Sequence, residues 1–264
     1  MRRIVYTMPM KHQQLLVTDN QRLRPALHRL VLSAPDLTAT PGQFLHILCH
    51  EPEAYDPFLR RAVPIHHLGD GRVDLLVRPD EPGHAWLARR RAGDALDTLG
   101  PLGHGFDLPD GHSTAGRLLL LAHGLGVAPL VGLADQAAAR GWAVTLLATA
   151  LRPADAYPAA LLPPAVEYQV APADDGPLSP LTADLLAWAD RLAAAIPSTA
   201  WLPLRQRIEA TRTALSPGFA QVWADVPLAC GTGRCQGCAI ETRRGWQLAC
   251  SDGPVFDLAE VTGR

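Results

Sequence analysis

The chain lacks the features of a nucleic-acid-binding or membrane protein. Its 264 residues carry 24 Lys and Arg against 26 Asp and Glu, for a net charge of −2, and the positive charges form no basic block. Since nucleic acids bind to clustered positive charge, we expect no nucleic-acid partner. The densest apolar run, Leu118 to Ala122, is far shorter than the roughly 20 residues of a membrane-spanning helix. We therefore expect no membrane association.

The first residues also lack the apolar stretch of a secretory signal peptide, because Met1 to Tyr6 is followed by polar residues. We therefore expect a cytoplasmic protein, whose thiols stay reduced and rarely form disulfides. Cysteine is scarce, with five in the chain, and four of these lie close together near the C-terminus. The fifth, Cys49, lies in an apolar run that begins at Phe44 and is predicted to be a buried core thiol.

The clustered cysteines have a spacing that is typical of an iron–sulfur site. Cys230, Cys235 and Cys238 follow the pattern C-x4-C-x2-C, the plant-type spacing of a [2Fe–2S] cluster, and Cys250 provides a fourth thiolate. Zinc is an alternative, but zinc sites usually pair two C-x2-C knuckles, and here only Cys235 and Cys238 form one. The pattern favours an electron-carrying cluster over zinc or a purely structural role.

The glycines between these cysteines favour the same interpretation. Gly231, Gly233 and Gly237 allow a loop to wrap tightly. They can also direct backbone N–H groups at sulfurs that carry negative charge. We therefore predict that the four cysteines are the metal ligands.

The first segment of the chain, up to about residue 110, predicts an antiparallel β-barrel. Short strand-like runs alternate with turns, such as Pro41-Gly42 and a hairpin tip at Asp70-Gly71. Several short strands at this spacing are typical of an all-β barrel, here interrupted by a short helix from Gly83 to Arg91. The predicted strands are Gln13 to Thr18, Leu27 to Leu32, Gln43 to Leu48 and Val73 to Val77.

The second segment, from Arg117, predicts a βαβ unit of a parallel sheet. Leu118 to Ala122 is a continuous apolar run, as expected for a strand that is buried on both faces. A glycine-containing turn follows, then a helical pattern from Ala128 to Arg140 and a second buried strand from Trp142 to Thr149. In such sheets, ligands usually bind at the carboxyl ends of the strands.

Farther along, the sequence predicts a short strand at Val166 to Val170, helices at Leu178 to Ala195 and at Arg205 to Leu215, and the cysteine-bearing tail from about Val222. The chain then divides into three predicted domains, at 1–112, 113–221 and 222–264. The predicted fold class is multi-domain, with a β-barrel, an α/β parallel-sheet domain of the nucleotide-binding type and a small [2Fe–2S] domain.

In this three-part plan the chain resembles the ferredoxin reductase-like flavoproteins. More narrowly, it is similar to the electron-transfer subunits of the two-subunit, NAD-linked dihydroorotate dehydrogenases. Only eleven residues separate Cys238 from Cys250, and the run from Cys250 to Phe256 is similar to the closing motif of that family. The run from Gly100 to Phe106 is a close match to a glycine-rich loop that the family places between the barrel and the nucleotide domain.

The resemblance implies a FAD site on the barrel. The run from Leu59 to Ile65 matches the flavin strand of the family, so Arg61 is expected to approach the flavin pyrophosphate and Val63 to pack on the isoalloxazine ring. Pro64 replaces a serine whose hydroxyl the family places near flavin N5, and that hydrogen bond is lost. The alternative is that Arg60 and Arg61 are solvated residues of a strand edge.

Other glycines match cofactor-binding positions of the family. Gly83 and His84 stand where a Gly-Thr pair caps the flavin phosphates at a helix start. Gly103 belongs to the glycine-rich loop, and Gly124 and Gly126 match the turn that approaches a pyridine nucleotide. By resemblance, all five positions are expected to bind cofactor.

NAD binding is left open, because the nucleotide motif is altered. Ala122 and His123 replace two glycines of the family turn, and the His123 side chain could obstruct a pyrophosphate. The family also has a Cys-Gly-Pro segment at the nicotinamide pocket, and the run after Ile196 contains no such segment. The alternative is that the βαβ domain is only a scaffold.

The implied function is electron transfer. By resemblance, a partner catalytic subunit would oxidise dihydroorotate, and single electrons would pass through the cluster to FAD, which would pass hydride to NAD. The chain would then be an oxidoreductase subunit of a heteromer in pyrimidine biosynthesis, with no general base of its own. Two alternatives stay open: the reductase subunit of a sulfhydrogenase or ferredoxin–NADP complex, and a non-enzymatic electron conduit that no longer binds NAD.

Overall fold

The computed structural model describes residues 11–51, 53–109 and 116–262. The strands of this part of the chain are β1 (His12–Arg24), β2 (Leu27–Ser33), β3 (Phe44–Ile47), β4 (Arg61–Gly69), β5 (Arg72–Val77), β6 (Ala95–Leu102), β7 (Arg117–His123), β8 (Ala143–Ala150), β9 (Val166–Pro172), β10 (Arg191–Ala195), β11 (Ala220–Trp223), β12 (Ala239–Thr242), β13 (Gly245–Leu248) and β14 (Val255–Asp257). The α-helices are α1 (Pro82–Ala88), α2 (Ala128–Ala139), α3 (Ala183–Trp188) and α4 (Trp201–Arg212). None of these helices combines the length and the apolar character that are needed to cross a membrane.

The first six strands form a closed antiparallel barrel in the order β1-β2-β5-β4-β3-β6. Inward-facing side chains such as Leu45, Val63 and Leu75 are buried in its core. The predicted hairpin tip is confirmed, since Asp70 and Gly71 both have positive φ, 53° and 70°, as a tight two-residue turn requires. The predicted barrel is therefore confirmed, although its closing strand β6 has no counterpart among the predicted strands.

The second sheet has the order β14-β11-β10-β7-β8-β9, in which the five strands from β11 to β9 are parallel and β14 is an antiparallel edge. The predicted βαβ unit is confirmed as β7-α2-β8. A short 3₁₀ turn over Gly124–Val127 connects β7 to α2, and the helix ends before Gly141, whose φ is 76°. This connection lies at the carboxyl end of β7, where the sequence predicts a ligand.

One predicted helix is largely wrong. Of the stretch from Leu178 to Ala195, only Ala183–Trp188 is helical, and Arg191–Ala195 is strand β10, which pairs with β7 and β11. Four of its five residues are buried. Alanine has the highest helix propensity, but propensity is a weak bias, and burial between two parallel strands outweighs it here. The next helix begins earlier than the predicted 205–215, at Trp201.

The cysteine-bearing tail packs on both other parts of the molecule. Strand β11 begins at Ala220, so the predicted domain limit at 222 falls inside a strand of the second sheet, and β14 returns to that sheet after the β12-β13 hairpin. One apolar core contains the barrel residues Phe44 and Leu102 together with Cys238 and Cys250. The cysteine segment therefore lies directly against the outer face of the barrel.

Polar contacts from β4 join the barrel to the second sheet. The buried His66 lies 2.9 Å from the Tyr157 hydroxyl through Nε2 and 3.2 Å from the Ala128 carbonyl through Nδ1. Its neighbour His67 places Nδ1 2.7 Å from a carboxylate oxygen of Asp135 on α2. These contacts hold the two parts on either side of a cleft.

Candidate cofactor sites

The four clustered cysteines lie together on one loop and on the segment after the β12-β13 hairpin. The sulfurs of Cys238 and Cys250 are 3.4 Å apart, and both side chains are buried. Cys230 is partly buried and Cys235 is exposed. Within the described residues, no three ligand side chains surround a single ion. A [2Fe–2S] cluster takes four thiolates distributed over two irons, and the loop and the segment after the hairpin supply four cysteine sulfurs.

Backbone donors in the loop point at these sulfurs. The N–H groups of Thr232 and Cys235 each donate to Cys230 Sγ at 3.5 Å, and the Gly233 N–H donates to Cys250 Sγ at 3.1 Å. Hydrogen bonds of this kind stabilise negatively charged sulfur. The loop therefore carries, in its backbone, the donors that thiolate ligands need.

The surroundings of Cys230 and Cys250 shift the pKa values of their thiols in opposite directions. Burial raises the pKa of Cys230, but the N–H groups of Cys235 and Thr232 outweigh it and lower that pKa to about 6. Burial, together with the neighbouring Cys238 thiol, raises the pKa of Cys250 to about 12 despite the Gly233 N–H. The N–H groups thus favour ionisation of the Cys230 thiol, and the thiolate is the form that binds metal.

Positive φ angles give the loop its shape. Gly231 and Gly233 have φ of 67° and 76°, and Gln236 has φ of 57°. These left-handed residues turn the chain so that successive N–H groups face inward, a conformation that glycine adopts without steric cost. Gly231 and Gly233 thus turn the loop as predicted, whereas Gly237 does not have a positive φ.

The second candidate site is a cleft of about 690 Å³ between the barrel and the second sheet. This volume is within the range of cofactor sites. Four of the predicted cofactor residues line it: Val63, His84, Gly124 and Gly126. Arg61, Gly83 and Gly103 are not among the lining residues. The fold thus brings β4, the start of α1 and the turn after β7 together around one cleft.

Arg61, at the start of β4, and Gly83, at the start of α1, lie next to each other beside the cleft. The Arg61 guanidinium donates to Glu81 at 2.9 Å through Nε and contacts it at 2.8 Å through Nη2. A Cβ at Gly83 would come within 2.8 Å of the Arg61 side chain, so this glycine makes room for the arginine. Glu81 also accepts the His84 N–H at 2.5 Å, as the N-cap of α1. This carboxylate is not among the residues predicted from the sequence; the signal for its position is Pro82, since proline is common at the first position of a helix.

The turn after β7, which the resemblance predicts to approach a pyridine nucleotide, carries His123 where the family has a glycine. His123 extends into the cleft, with Nδ1 2.8 Å from the Thr149 hydroxyl. Burial lowers the pKa of His123, so the imidazole is neutral near pH 7. A Cβ at Gly126 would come within 2.1 Å of the Ala195 carbonyl oxygen. Gly126 is therefore needed for close packing of the turn against β10, whether or not a nucleotide binds.

Gly103 lies away from the cleft, against the end of the cysteine segment. A Cβ there would come within 2.5 Å of Pro254 and 2.6 Å of the Gly253 carbonyl, and its φ is 76°. The next residue, His104, donates its N–H to the Gly253 carbonyl at 2.5 Å. The glycine-rich loop thus joins the barrel to the closing motif of the cysteine segment.

Comparison with known proteins agrees with this geometry. The family model described as the iron–sulfur cluster binding domain of dihydroorotate dehydrogenase B matches residues 227–262. The electron transfer subunit of dihydroorotate dehydrogenase B (NAD(+)) from Geobacillus thermodenitrificans is 32% identical over 263 residues, which cover 94% of this chain and 98% of that protein. The chain belongs to this family of electron transfer subunits. The corresponding subunit from Desulforamulus reducens is 28% identical and covers 90% of this chain and 93% of its own length.

Solved structures show the same fold in more distant proteins. An NADH-dependent reduced ferredoxin–NADP oxidoreductase matches with a TM-score of 0.75 and 22% identity, covering 94% of this chain and 90% of that one. A cytochrome P450 reductase from Amycolatopsis matches with a TM-score of 0.64 and 21% identity, covering 84% and 72%. The predicted family, the iron–sulfur domain and the FAD-binding type of ferredoxin reductase fold are confirmed. The assignment of individual residues to each cofactor stays a prediction.

Proposed function

We propose that this subunit carries electrons between a dihydroorotate-oxidising partner and NAD(H), through a [2Fe–2S] cluster and FAD. The observation that carries the proposal is the position of the cysteine loop and the cleft on one face of the barrel. Phe44 on β3 shares an apolar core with Cys238 and Cys250, and its cross-strand neighbour Pro64 on β4 lines the cleft. The two candidate sites therefore lie against the same two neighbouring strands, β3 and β4.

The residues of the cysteine segment suit the first cofactor. When bound, a [2Fe–2S] cluster supplies one-electron transfer, and a flavin exchanges one or two electrons. Cys230, Cys235, Cys238 and Cys250 hold the irons, and the N–H groups directed at Cys230 and Cys250 stabilise the thiolates. The loop around Gly231 and Gly233 supplies those donors from its backbone.

The cleft residues suit a flavin. Ala62 and Pro64, which face outward from β4, form an apolar wall on the barrel side, and His84 and Gly124 face it from the start of α1 and from the turn after β7. The side chain of Val63, predicted to pack on the isoalloxazine ring, points into the barrel core instead. Arg61 supplies positive charge for a pyrophosphate beside the cleft. Binding the pyrophosphate would replace the ion pair that Arg61 makes with Glu81. Pro64 offers neither an N–H nor a hydroxyl, so the isoalloxazine edge gains no hydrogen bond from that position.

The biological setting follows from the relatives. The names of the related proteins describe one subunit of dihydroorotate dehydrogenase B, which implies a catalytic partner. We therefore propose that the chain acts in a heteromer in the cytoplasm, in pyrimidine biosynthesis. The reductase subunit of another complex stays an alternative, since the ferredoxin–NADP oxidoreductase shares the fold.

Anaerobic purification tests the cofactor content. We expect two irons, two acid-labile sulfides and one FAD per chain, with the visible absorption of both groups. Co-expression with a dihydroorotate-oxidising subunit should yield a complex that reduces NAD with dihydroorotate. A colourless protein that contains zinc would contradict the proposal.

His123 and the absence of a Cys-Gly-Pro run after Ile196 favour a second candidate, a conduit that does not bind NAD. Anaerobic titration with NADH distinguishes the two. An NAD-linked subunit should bleach its flavin on mixing with NADH. A conduit should keep an oxidised flavin with NADH and yet become reduced when dihydroorotate and the partner are present.

A further inference from the structure

His46 is a buried histidine on the barrel face that meets the cysteine segment. It lies on β3, where Leu45 faces the barrel core and Phe44 and His46 face outward. The two outward rings contact each other edge to face, with centroids 6.4 Å apart. The cysteine segment covers this face so completely that His46 is only 1% exposed.

The imidazole of His46 makes no hydrogen bond of ordinary geometry within the part of the chain that the structure describes. Among the described residues, neither Nδ1 nor Nε2 is paired, although the main chain of Leu228 faces the ring. Buried polar side chains nearly always have a partner, so an orphaned imidazole indicates a group that binds here. Burial, with the nearby Arg60 and Arg61, lowers the pKa of His46 to about 4. The neutral ring offers one N–H donor and one acceptor.

The residues against this ring belong to the cysteine loop. A Cβ at Gly231 would come within 2.8 Å of His46 Nδ1, so the glycine is required for the loop to approach the ring. Leu228 and Gly231 lie on either side of Cys230, whose sulfur already accepts the N–H groups of Thr232 and Cys235. The unpaired imidazole therefore abuts the segment that carries the first predicted ligand.

On its other side, His46 adjoins the cleft. Its cross-strand neighbour on β4 is Ala62, and that of Phe44 is Pro64. Both Ala62 and Pro64 line the cleft. His46 is thus a buried polar side chain between the proposed flavin cleft and the proposed cluster.

We propose that His46 is a positioning residue for the cluster, whose ring N–H donates a hydrogen bond to sulfur on the Cys230 side and raises the reduction potential of the cluster. The inference rests on the proposed [2Fe–2S] cluster. Reduction adds negative charge to the sulfurs, and a donor directed at them stabilises the reduced form more than the oxidised form.

Substitutions of His46 test this role in the intact, cluster-loaded protein. His46→Phe keeps a planar ring and removes both nitrogens, whereas His46→Asn and His46→Gln keep an amide donor near the Nδ1 and Nε2 positions respectively. His66→Phe is the matched control, because His66 is a second buried barrel histidine whose partners are Ala128 and Tyr157. The measurement is the midpoint potential of the cluster in an anaerobic redox titration followed by electron paramagnetic resonance.

We expect the potential of the cluster to fall in His46→Phe, to recover at least partly in one of the two amide variants, and to stay unchanged in His66→Phe. Loss of the cluster from His46→Phe with retention in an amide variant would support the same role. An unchanged potential in His46→Phe, or an equal shift in all three His46 variants, would overturn it. Wild-type protein without iron and sulfide would refute the proposed function itself, which the metal assay reveals before any variant is made.

Discussion

The cysteine loop and the cleft both lie against strands β3 and β4, but the chain builds them in different ways. The loop takes its sulfurs from a stretch of about twenty residues and its hydrogen-bond donors from the backbone between them. The cleft combines side chains from β4, α1, the turn after β7 and the end of β10, which are far apart in sequence. The loop depends on the spacing of nearby residues and on its backbone, so we expect a single substitution there to disturb the whole site. The cleft is formed by side chains from separate segments, so one of them can be substituted while the others keep their positions. Pro64 and His123, which differ from the motifs of the family, both line the cleft.

The largest effect should come from the loop. Cys235→Ser or Cys238→Ser removes one of four thiolates, and we expect loss of nearly all acid-labile sulfide and visible cluster absorption. Cys49→Ala is the matched control, because Cys49 is a buried barrel thiol whose sulfur contacts the Ile47 carbonyl. Retention of a full cluster in both serine variants would break the comparison, since the loop would then not hold the metal.

Next in size should be the loss of charge beside the cleft. Arg61→Met should weaken FAD retention by about 10- to 100-fold, because a hydrogen bond to a charged group contributes roughly 1.5–3 kcal/mol. Arg60→Met is the control, since Arg60 donates to Asp97 on β6, at 2.9 Å to the carbonyl oxygen and at 2.5 Å to the carboxylate. Equilibrium dialysis against FAD measures both. Unchanged FAD retention in Arg61→Met would favour the interpretation of both arginines as solvated strand-edge residues.

A smaller effect is expected on the nucleotide side. His123→Gly removes the imidazole that extends into the cleft and restores a family glycine, so NADH should bind about tenfold more tightly, or roughly 1.4 kcal/mol. His104→Gly, in the loop that contacts Gly253, is the control and should leave the affinity unchanged. The decrease in flavin absorbance on anaerobic titration with NADH gives the dissociation constant. Weaker binding in His123→Gly would show that the imidazole contributes to nucleotide binding.

The smallest effect concerns the contact that holds the cleft together. The hydrogen bond to Asp135 raises the pKa of His67 above its usual value of 6.5. A raised folded-state pKa gives stability that is complete below the unfolded pKa and is lost as the pH rises through the folded one. The melting temperature of His67→Gln should therefore lie below that of the wild type at acidic pH and approach it at alkaline pH. Asp135→Asn should show the same pH dependence, and a difference that is constant with pH would contradict this account.

Residues with a local signal were predictable. The cysteine spacing, the Asp70-Gly71 turn and the apolar run of β7 depend on neighbours in sequence. The segment of β10 was mispredicted as helix, because its alanines carry no strand signal and the ladders to β7 and β11 are non-local. The helix start at Glu81 has a local signal in Pro82, which follows it at the first position of α1.

By itself, the sequence determined the class of chemistry and the kinds of secondary structure, because thiolate spacing, glycine positions and hydrophobic periodicity act within a few residues along the chain. Only the tertiary structure decided which residues meet. It placed Gly103 against Pro254 instead of in the cleft, paired Arg61 with Glu81, and buried His46 against Gly231. The physical reason is that burial and hydrogen-bond partners depend on segments that are distant along the chain, which no local pattern records.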